Sequence, residues 1–142
     1  MRPRALDLED LIEVLLKEHE EVRALLKRIN ALLQNGRYGE LAEELNKFKP
    51  YLDQHVIDEE ASVLKVLIDT YGREGADRFI RVFQEHREIH RLLQDMRRIA
   101  VETPERLAEL KTEFSRVLER HFMAEESDVF PSALRVMKGK RG

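Results

Sequence analysis

The sequence predicts an all-α protein folded as an up-down-up-down antiparallel four-helix bundle, and three observations support this prediction. Charged residues make up 37% of the chain and hydrophobic residues 42%, a balance typical of long amphipathic helices. The six Gly and four Pro are few for 142 residues, so helix-breaking positions are rare. Apolar residues recur alternately three and four positions apart in four segments, which is the spacing of helices packed in a bundle.

The length and the charge pattern limit the class of protein. A chain of 142 residues matches one ordinary domain, so we expect a single domain over residues 1–142, with the bundle at about 7–137. We expect frayed, solvated basic ends, which contain Arg2, Arg4, Lys138, Lys140 and Arg141. The net charge of −3, with both signs interleaved, predicts no nucleic-acid partner. No stretch has the length and apolarity of a membrane span or a signal peptide, so we expect a cytoplasmic protein without a membrane partner; no protein partner is indicated.

The first two helices each place a histidine on their apolar seam. The first helix begins at an Asp7 cap and has His19 on its seam. A turn at residues 35–39 separates it from the second helix. The second helix continues the same spacing through His55 and ends near Gly72.

The last two helices repeat this arrangement. The third seam extends over residues 79–96 and includes His86. Thr103–Pro104 is typical of a helix start, with a cap followed by proline at the first helical position. The fourth helix contains His121 on its inner stripe and reaches about Met137.

The two halves of the chain are related by an internal repeat. Residues 18–29 align with 85–96, and residues 51–64 align with 117–130. The matched pairs are His19 and His86, Arg23 and His90, His55 and His121, and Glu59 and Glu125. The chain therefore resembles one helix pair used twice, with His90 as an additional histidine.

The histidines are predicted to form one layer of the bundle. Counting about 1.5 Å per residue from the connecting turns brings all five to within about two helical turns of one another. Residues four apart lie on the same helix face, so they can point to a common centre. We therefore predict a metal site with the ligands His19, His55, Glu59, His86, His90, His121 and Glu125. The alternative is a set of ordinary core histidines, which would bury several imidazoles and two carboxylates without evident partners.

The ligand types and their number restrict the metal. Imidazole and carboxylate together suit iron, zinc, manganese or copper, and the chain has no cysteine to supply a thiolate. Seven ligands exceed the needs of one ion. If two carboxylates bridge two ions, the histidines divide unequally, with three on one ion (His86, His90, His121) and two on the other (His19, His55). One ion then has an open position, and the mostly neutral ligand set favours Fe(II).

These residues resemble the motif of the hemerythrins and hemerythrin-like HHE cation-binding domains over about residues 8–137. The matching elements are His19, His55-x-x-x-Glu59, His86-x-x-x-His90, and His121 followed by an acid. The resemblance implies two non-haem iron ions joined by an oxo or hydroxo bridge, with O2 bound at the iron that has two histidines. It also implies that Glu59 and an acid of the fourth helix bridge the irons. We assign Glu125 as that acid, because the repeat pairs it with Glu59; Glu126 is the alternative.

The expected function is binding of O2, or a related small ligand such as NO, as a carrier, store or sensor. The sequence favours a ligand-binding metalloprotein over an enzyme, because no additional acid/base group accompanies the metal motif. The alternatives are a di-iron peroxidase or oxidase and an iron storage or donation protein.

Overall fold

The described part of the protein is helical throughout. The computed structural model describes residues 2–141, with only the backbone for residues 140 and 141. Its α-helices are α1 (Leu8–Gln34), α2 (Tyr38–Asp58), α3 (Lys65–Gly75), α4 (Asp77–Glu102), α5 (Leu107–Ala124) and α6 (Phe130–Arg141).

The six α-helices form four continuous rods. A π-helical segment, Glu59–Leu64, joins α2 to α3, and a second one, Glu125–Val129, joins α5 to α6. α1 and α4 are single helices, and a 3-10 turn at Pro104–Arg106 leads into α5. α1 contacts α2 and α5, while α4 contacts α2 and α5. The prediction of an all-α, four-helix protein is confirmed for the described residues.

The helix boundaries largely follow the predicted signals. Gly36 and Gly72 have positive φ angles of 69° and 73°, so each allows a backbone turn that other residues rarely adopt. At Gly72 the helical conformation of the second rod is interrupted, as predicted. Thr103 precedes the 3-10 turn that opens the fourth rod. Asp7 is the residue before α1, but its side chain makes no capping hydrogen bond.

Two apolar clusters fill the interior, one on each side of the histidine layer. In α1, Leu15 belongs to one cluster and Val22 to the other, and His19 lies between them. In α4, Phe83 belongs to the same cluster as Leu15 and Ile89 to the other, and His86 lies between them. The bundle therefore surrounds a polar layer with hydrophobic packing, and the packing fixes the height of each histidine.

The N-terminal arm differs from the frayed end that the sequence predicts. Arg4 donates from its backbone N–H to Asp58 at 2.7 Å and from its guanidinium to Asp58 at 2.6 Å and Glu18 at 2.8 Å. The physical reason is that Asp58 is fully buried, and a buried carboxylate requires a cationic partner. At the other end α6 reaches Arg141. The side chains of Lys140 and Arg141 lie outside the described residues.

Among the described residues, no helix is both long enough and apolar enough to cross a membrane. The single-domain assignment and the cytoplasmic location stay predictions.

Replacing Gly72 by Ala should lower the free energy of unfolding by about 1 kcal/mol, because a side chain disfavours a positive φ. A Cβ at this position would meet nothing within 4 Å, so the effect comes from the backbone alone. Gly39→Ala is the matched control, since Gly39 is helical and equally open and should leave stability unchanged or raise it. Urea denaturation of both variants measures the difference; equal effects would contradict the assigned turn.

Candidate metal centre

Six buried side chains meet at the centre of the bundle. They form two groups that share both glutamates: His19 and His55 with Glu59 and Glu125, and His86 and His121 with the same two glutamates. In each group, one ligand atom per residue lies within 4.8 Å of the others. We call these residues the inner six: His19, His55, Glu59, His86, His121 and Glu125. All six are at most 4% exposed.

The inner atoms of the four histidines face the two carboxylates. The Nε2 atom of His86 lies 3.0 Å from Glu59 Oε2, and His55 Nε2 contacts Glu59 Oε1. The Nε2 atoms of His19 and His121 lie 3.2 and 3.3 Å from Glu125 Oε1. The nearest histidines of each glutamate therefore include one from each half of the repeat.

The outer atoms of the same histidines each meet a second carboxylate. Glu126 accepts from His19 Nδ1 at 2.8 Å, and Glu18 accepts from His55 Nδ1 at 2.9 Å. Glu60 accepts from His86 Nδ1 at 3.0 Å, and Glu85 accepts from His121 Nδ1 at 3.1 Å. We call Glu18, Glu60, Glu85 and Glu126 the outer carboxylates. Because an ionised carboxylate only accepts hydrogen bonds, each Nδ1 donates a proton to its outer carboxylate. Nε2 faces the inner carboxylates, and its lone pair is available to a metal ion once Nε2 carries no proton.

The inner atoms lack the hydrogen bonds that buried polar groups normally have. Although they lie close to one another, no hydrogen bond is formed in the described structure by Nε2 of His19, His55 and His121, by Glu59 Oε1, or by either carboxylate oxygen of Glu125. Leaving such groups unpaired costs about 1 to 3 kcal/mol each. Imidazole lone pairs and carboxylate oxygens at one point are the ligands of a divalent first-row metal. The residues therefore fit a metal ion, which would satisfy all of these atoms at once.

The pKa values of Glu59 and Glu125 are shifted in opposite directions. Burial favours the neutral form of Glu59, but the charge of His55 and the neighbouring polar groups of Glu125 and His19 hold the pKa of this carboxyl well below its usual range. Burial and the nearby Glu59 carboxylate raise the pKa of Glu125 well above its usual range. Burial opposes the charge on His55, yet Glu59 and Glu18 raise the pKa of its imidazole to about 9. Protons thus balance the charge at this centre, and a cation between the glutamates would replace them.

Both glutamates begin π-helical segments. Glu59 follows His55 by one turn and is the first residue of the Glu59–Leu64 segment. Glu125 has the same relation to His121 and opens the Glu125–Val129 segment. Single π turns within α-helices are rare and frequently occur at functional sites. Their occurrence at equivalent places in the two halves marks both positions as parts of one site.

The structure does not bring His90, the seventh expected ligand, to the centre. Its side chain is 35% exposed, and its Nδ1 lies 3.6 Å from Asp53 Oδ1. His90 follows His86 by four residues, a rise of about 6 Å along α4, and its imidazole faces Asp53 of α2 instead of the two glutamates. Among the described residues each group contains two histidines, while the expected division into three and two, which includes His90, stays a prediction.

The two candidate acids of the fourth rod have different positions. Glu125 is fully buried and belongs to both groups. Glu126 is directed outward, where it accepts from His19 Nδ1 and lies 2.9 Å from Arg23. The arrangement favours Glu125 as the shared ligand, as the internal repeat predicts.

The sequence interpretation did not assign the outer carboxylates: Glu126 was considered only as an alternative metal ligand, and Glu18, Glu60 and Glu85 were missed. Each is adjacent to one of the inner six: Glu18 and Glu85 directly precede His19 and His86, and Glu60 and Glu126 directly follow Glu59 and Glu125. This regular placement in both halves was a usable signal. It was hidden because glutamate at an outward helix position is normally a solvated residue.

A comparison with protein families gives a match to the model described as the hemerythrin HHE cation binding domain over residues 10–133. No curated protein and no solved structure matches the chain significantly.

Glu125→Gln should greatly reduce the bound metal, because it removes a ligand shared by both groups. Glu126→Gln makes the same carboxyl-to-amide change one residue away and should lower metal affinity only by about tenfold, because it alters the support of one histidine. Elemental analysis and competition with a chelator measure both variants. The reverse order would identify Glu126 as the ligand.

Binding of a divalent metal should release protons at neutral pH, and affinity should rise as the pH approaches about 9, the pKa of His55. Below its raised pKa each group retains a proton, and both His55 and Glu125 must lose that proton to coordinate metal. A pH indicator in weakly buffered protein measures the release during a Co2+ titration. Binding without proton release would contradict the assigned ligands.

Proposed function

Because the chain belongs to the hemerythrin HHE cation-binding domain family, we propose that the inner six hold two non-haem iron ions and that the protein binds O2, or a related ligand such as NO. The observation that supports this proposal is the convergence of unpaired Nε2 and carboxylate atoms in two groups that share Glu59 and Glu125. We also propose the up-down-up-down helix order. Arg23 of α1 pairs with Glu119 of α5, and Asn30, farther along α1, accepts from Lys111, which comes earlier in α5. Contacts in this reversed order are expected for antiparallel helices.

The ligands divide equally between the two proposed ions. His19 and His55 would hold one ion, His86 and His121 the other, and Glu59 and Glu125 would bind both. Four protein donors for an ion that accepts up to six leave positions for a bridge and for an external ligand. Ferrous iron with open positions supplies electrons and a binding position for O2 or NO.

The protein residues orient the ligands and exclude water. The outer carboxylates hold each Nδ1 proton, which keeps the Nε2 lone pair directed inward. Phe122 stacks on the His19 ring, with centroids 3.8 Å apart, and Phe83 lies 5.3 Å from the His86 ring. An apolar wall of this kind limits hydrolysis and proton leakage at a reactive centre.

A second candidate is an enzyme that reduces O2 or peroxide. The equality of the two groups favours it more than the sequence did, because open positions on both ions allow a substrate to contact both. An enzyme would consume O2 or peroxide over many turnovers, whereas a binding protein releases its ligand unchanged.

Anaerobic protein loaded with Fe(II) should hold two irons per chain, and O2 or NO should produce a visible absorption band that disappears when the gas is removed. Glu59→Ala removes a shared ligand and should abolish the band, while circular dichroism confirms that the helices remain. Continuous consumption of O2 or peroxide with a reductant would favour the enzyme. A chain that binds no iron would contradict both functions.

A further inference from the structure

Two of the outer carboxylates, Glu18 and Glu85, occupy equivalent positions in the two halves of the repeat. The Oε1 atom of Glu18 accepts from His55 Nδ1 at 2.9 Å. The Oε1 atom of Glu85 accepts from His121 Nδ1 at 3.1 Å. Each residue therefore has its Oε2 atom available for a second donor, and this donor has a different origin in the two halves.

An arginine donates to Oε2 in both halves, but only one of these arginines belongs to the bundle. Arg120 of α5 donates to Glu85 Oε2 at 3.1 Å. Arg4 donates to Glu18 Oε2 at 2.8 Å, and it belongs to the N-terminal arm, residues 2–6, which precedes α1 and has no regular secondary structure. The arm therefore supplies to the first half a contact that the second half obtains from its own helix.

Two residues of α2 differ from their counterparts in the second half, and both bind the arm. The repeat places Gln54 where the second half has Arg120, and Asp58 where it has Ala124. The side-chain amide of Gln54 donates to the backbone carbonyl of Arg2 at 2.9 Å and to Asp58 Oδ1 at 3.0 Å. The first half thus lacks the arginine of the helix and has two residues that bind the arm in its place.

The contacts of Asp58 favour the docked position of the arm. Asp58 is fully buried and accepts from Arg4 twice, from the backbone N–H at 2.7 Å and from Nε at 2.6 Å. Among the residues that the structure describes, Arg4 is the only cation paired with this carboxylate. A buried carboxylate is unfavourable without such a partner. Because the equivalent residue of the second half is Ala124, the metal ligands themselves do not require a carboxylate here.

We propose that Arg4 is a positioning residue of the metal centre, which holds Glu18, and thereby the His55 imidazole, through the docked arm. This inference rests on the proposed metal-binding function. The Arg4 guanidinium on Oε2 fixes the Glu18 carboxylate, so that Oε1 stays on His55 Nδ1 and Nε2 stays directed to the inner carboxylates. By thermodynamic linkage, an arm that favours metal binding is itself held more firmly when metal is bound. Docking of the arm and occupancy of the centre are therefore coupled.

The test removes the contact of the arm and then restores it from the helix. Arg4→Gln alone would leave Asp58 buried without a cation, so it is combined with Asp58→Ala, which copies the second half and keeps the net charge unchanged. The Co2+ affinity of the full chain, measured by visible absorption in competition with a chelator, should fall by about tenfold for one of the two ions. Adding Gln54→Arg should restore the affinity, because the new guanidinium can bind Glu18 as Arg120 binds its equivalent.

Arg81→Gln combined with Asp77→Ala is the matched control. It makes the same two changes in an ion pair of α4 whose side chains are 76% and 55% exposed. Its Co2+ affinity should equal that of the unaltered protein. Circular dichroism confirms that all variants fold.

A second measurement follows the arm itself. The backbone N–H of Arg4 donates to Asp58, so its exchange with solvent reports undocking of the arm. In the unaltered full chain, saturating Zn2+ should slow this exchange by about tenfold, because the coupling acts equally in both directions. NMR compares the Zn2+-loaded and the metal-free protein.

Unchanged Co2+ affinity in Arg4→Gln/Asp58→Ala would overturn the proposal, since Arg4 would then only neutralise Asp58. A loss that Gln54→Arg does not restore, an equal loss in the control pair, or an exchange rate of the Arg4 amide that does not respond to Zn2+ would also overturn it. A failure of the di-iron function is separate, because it would appear in the unaltered protein as missing iron or a missing response to O2 and NO, and the tests of the arm use neither iron nor a gas.

Discussion

The burial of four imidazoles and two carboxylates, with most of their inner atoms lacking a hydrogen bond, is the constraint on which the rest of the structure depends. Such a layer is unfavourable by several kcal/mol unless a cation occupies it. Its position requires a rigid frame, and the two apolar clusters on either side provide one. The hydrophobic core of the bundle is thus in two parts, because polar side chains occupy the layer between them.

The outer carboxylates make this arrangement possible. Each imidazole has one nitrogen directed inward and one outward, and the outward Nδ1 must donate to something if Nε2 is to remain a ligand. Glu18, Glu60, Glu85 and Glu126 perform this role, and each acts on a histidine of another rod. The hydrogen bonds that orient the ligands are therefore also contacts that hold the rods together.

The sequence predicted those features that depend on periodicity and repetition. The seam spacing placed His19, His55, His86 and His121 inside the bundle, and the repeat selected Glu125 over Glu126. It did not reveal that His90 faces Asp53, because Asp53 lies on another helix and such a contact leaves no periodic signal. Arg4 was misjudged for a related reason: its partners, Glu18 and Asp58, are distant in sequence, and long-range ion pairs leave no periodic signal.

The two halves of the repeat have the same candidate ligands and outer carboxylates and differ in the residues around them. The inner six and the outer carboxylates are the same in both halves, because each position has a fixed task in coordination. The differences lie around them, where Arg23 and Phe122 correspond to His90 and Val56. Arg23 pairs with Glu126 and covers Phe122, while Glu60 pairs with His86 and is half-exposed. A centre with equal ligand groups therefore has unequal surroundings, so any difference in reactivity between its two sides originates in access and outer charge rather than in the ligands themselves.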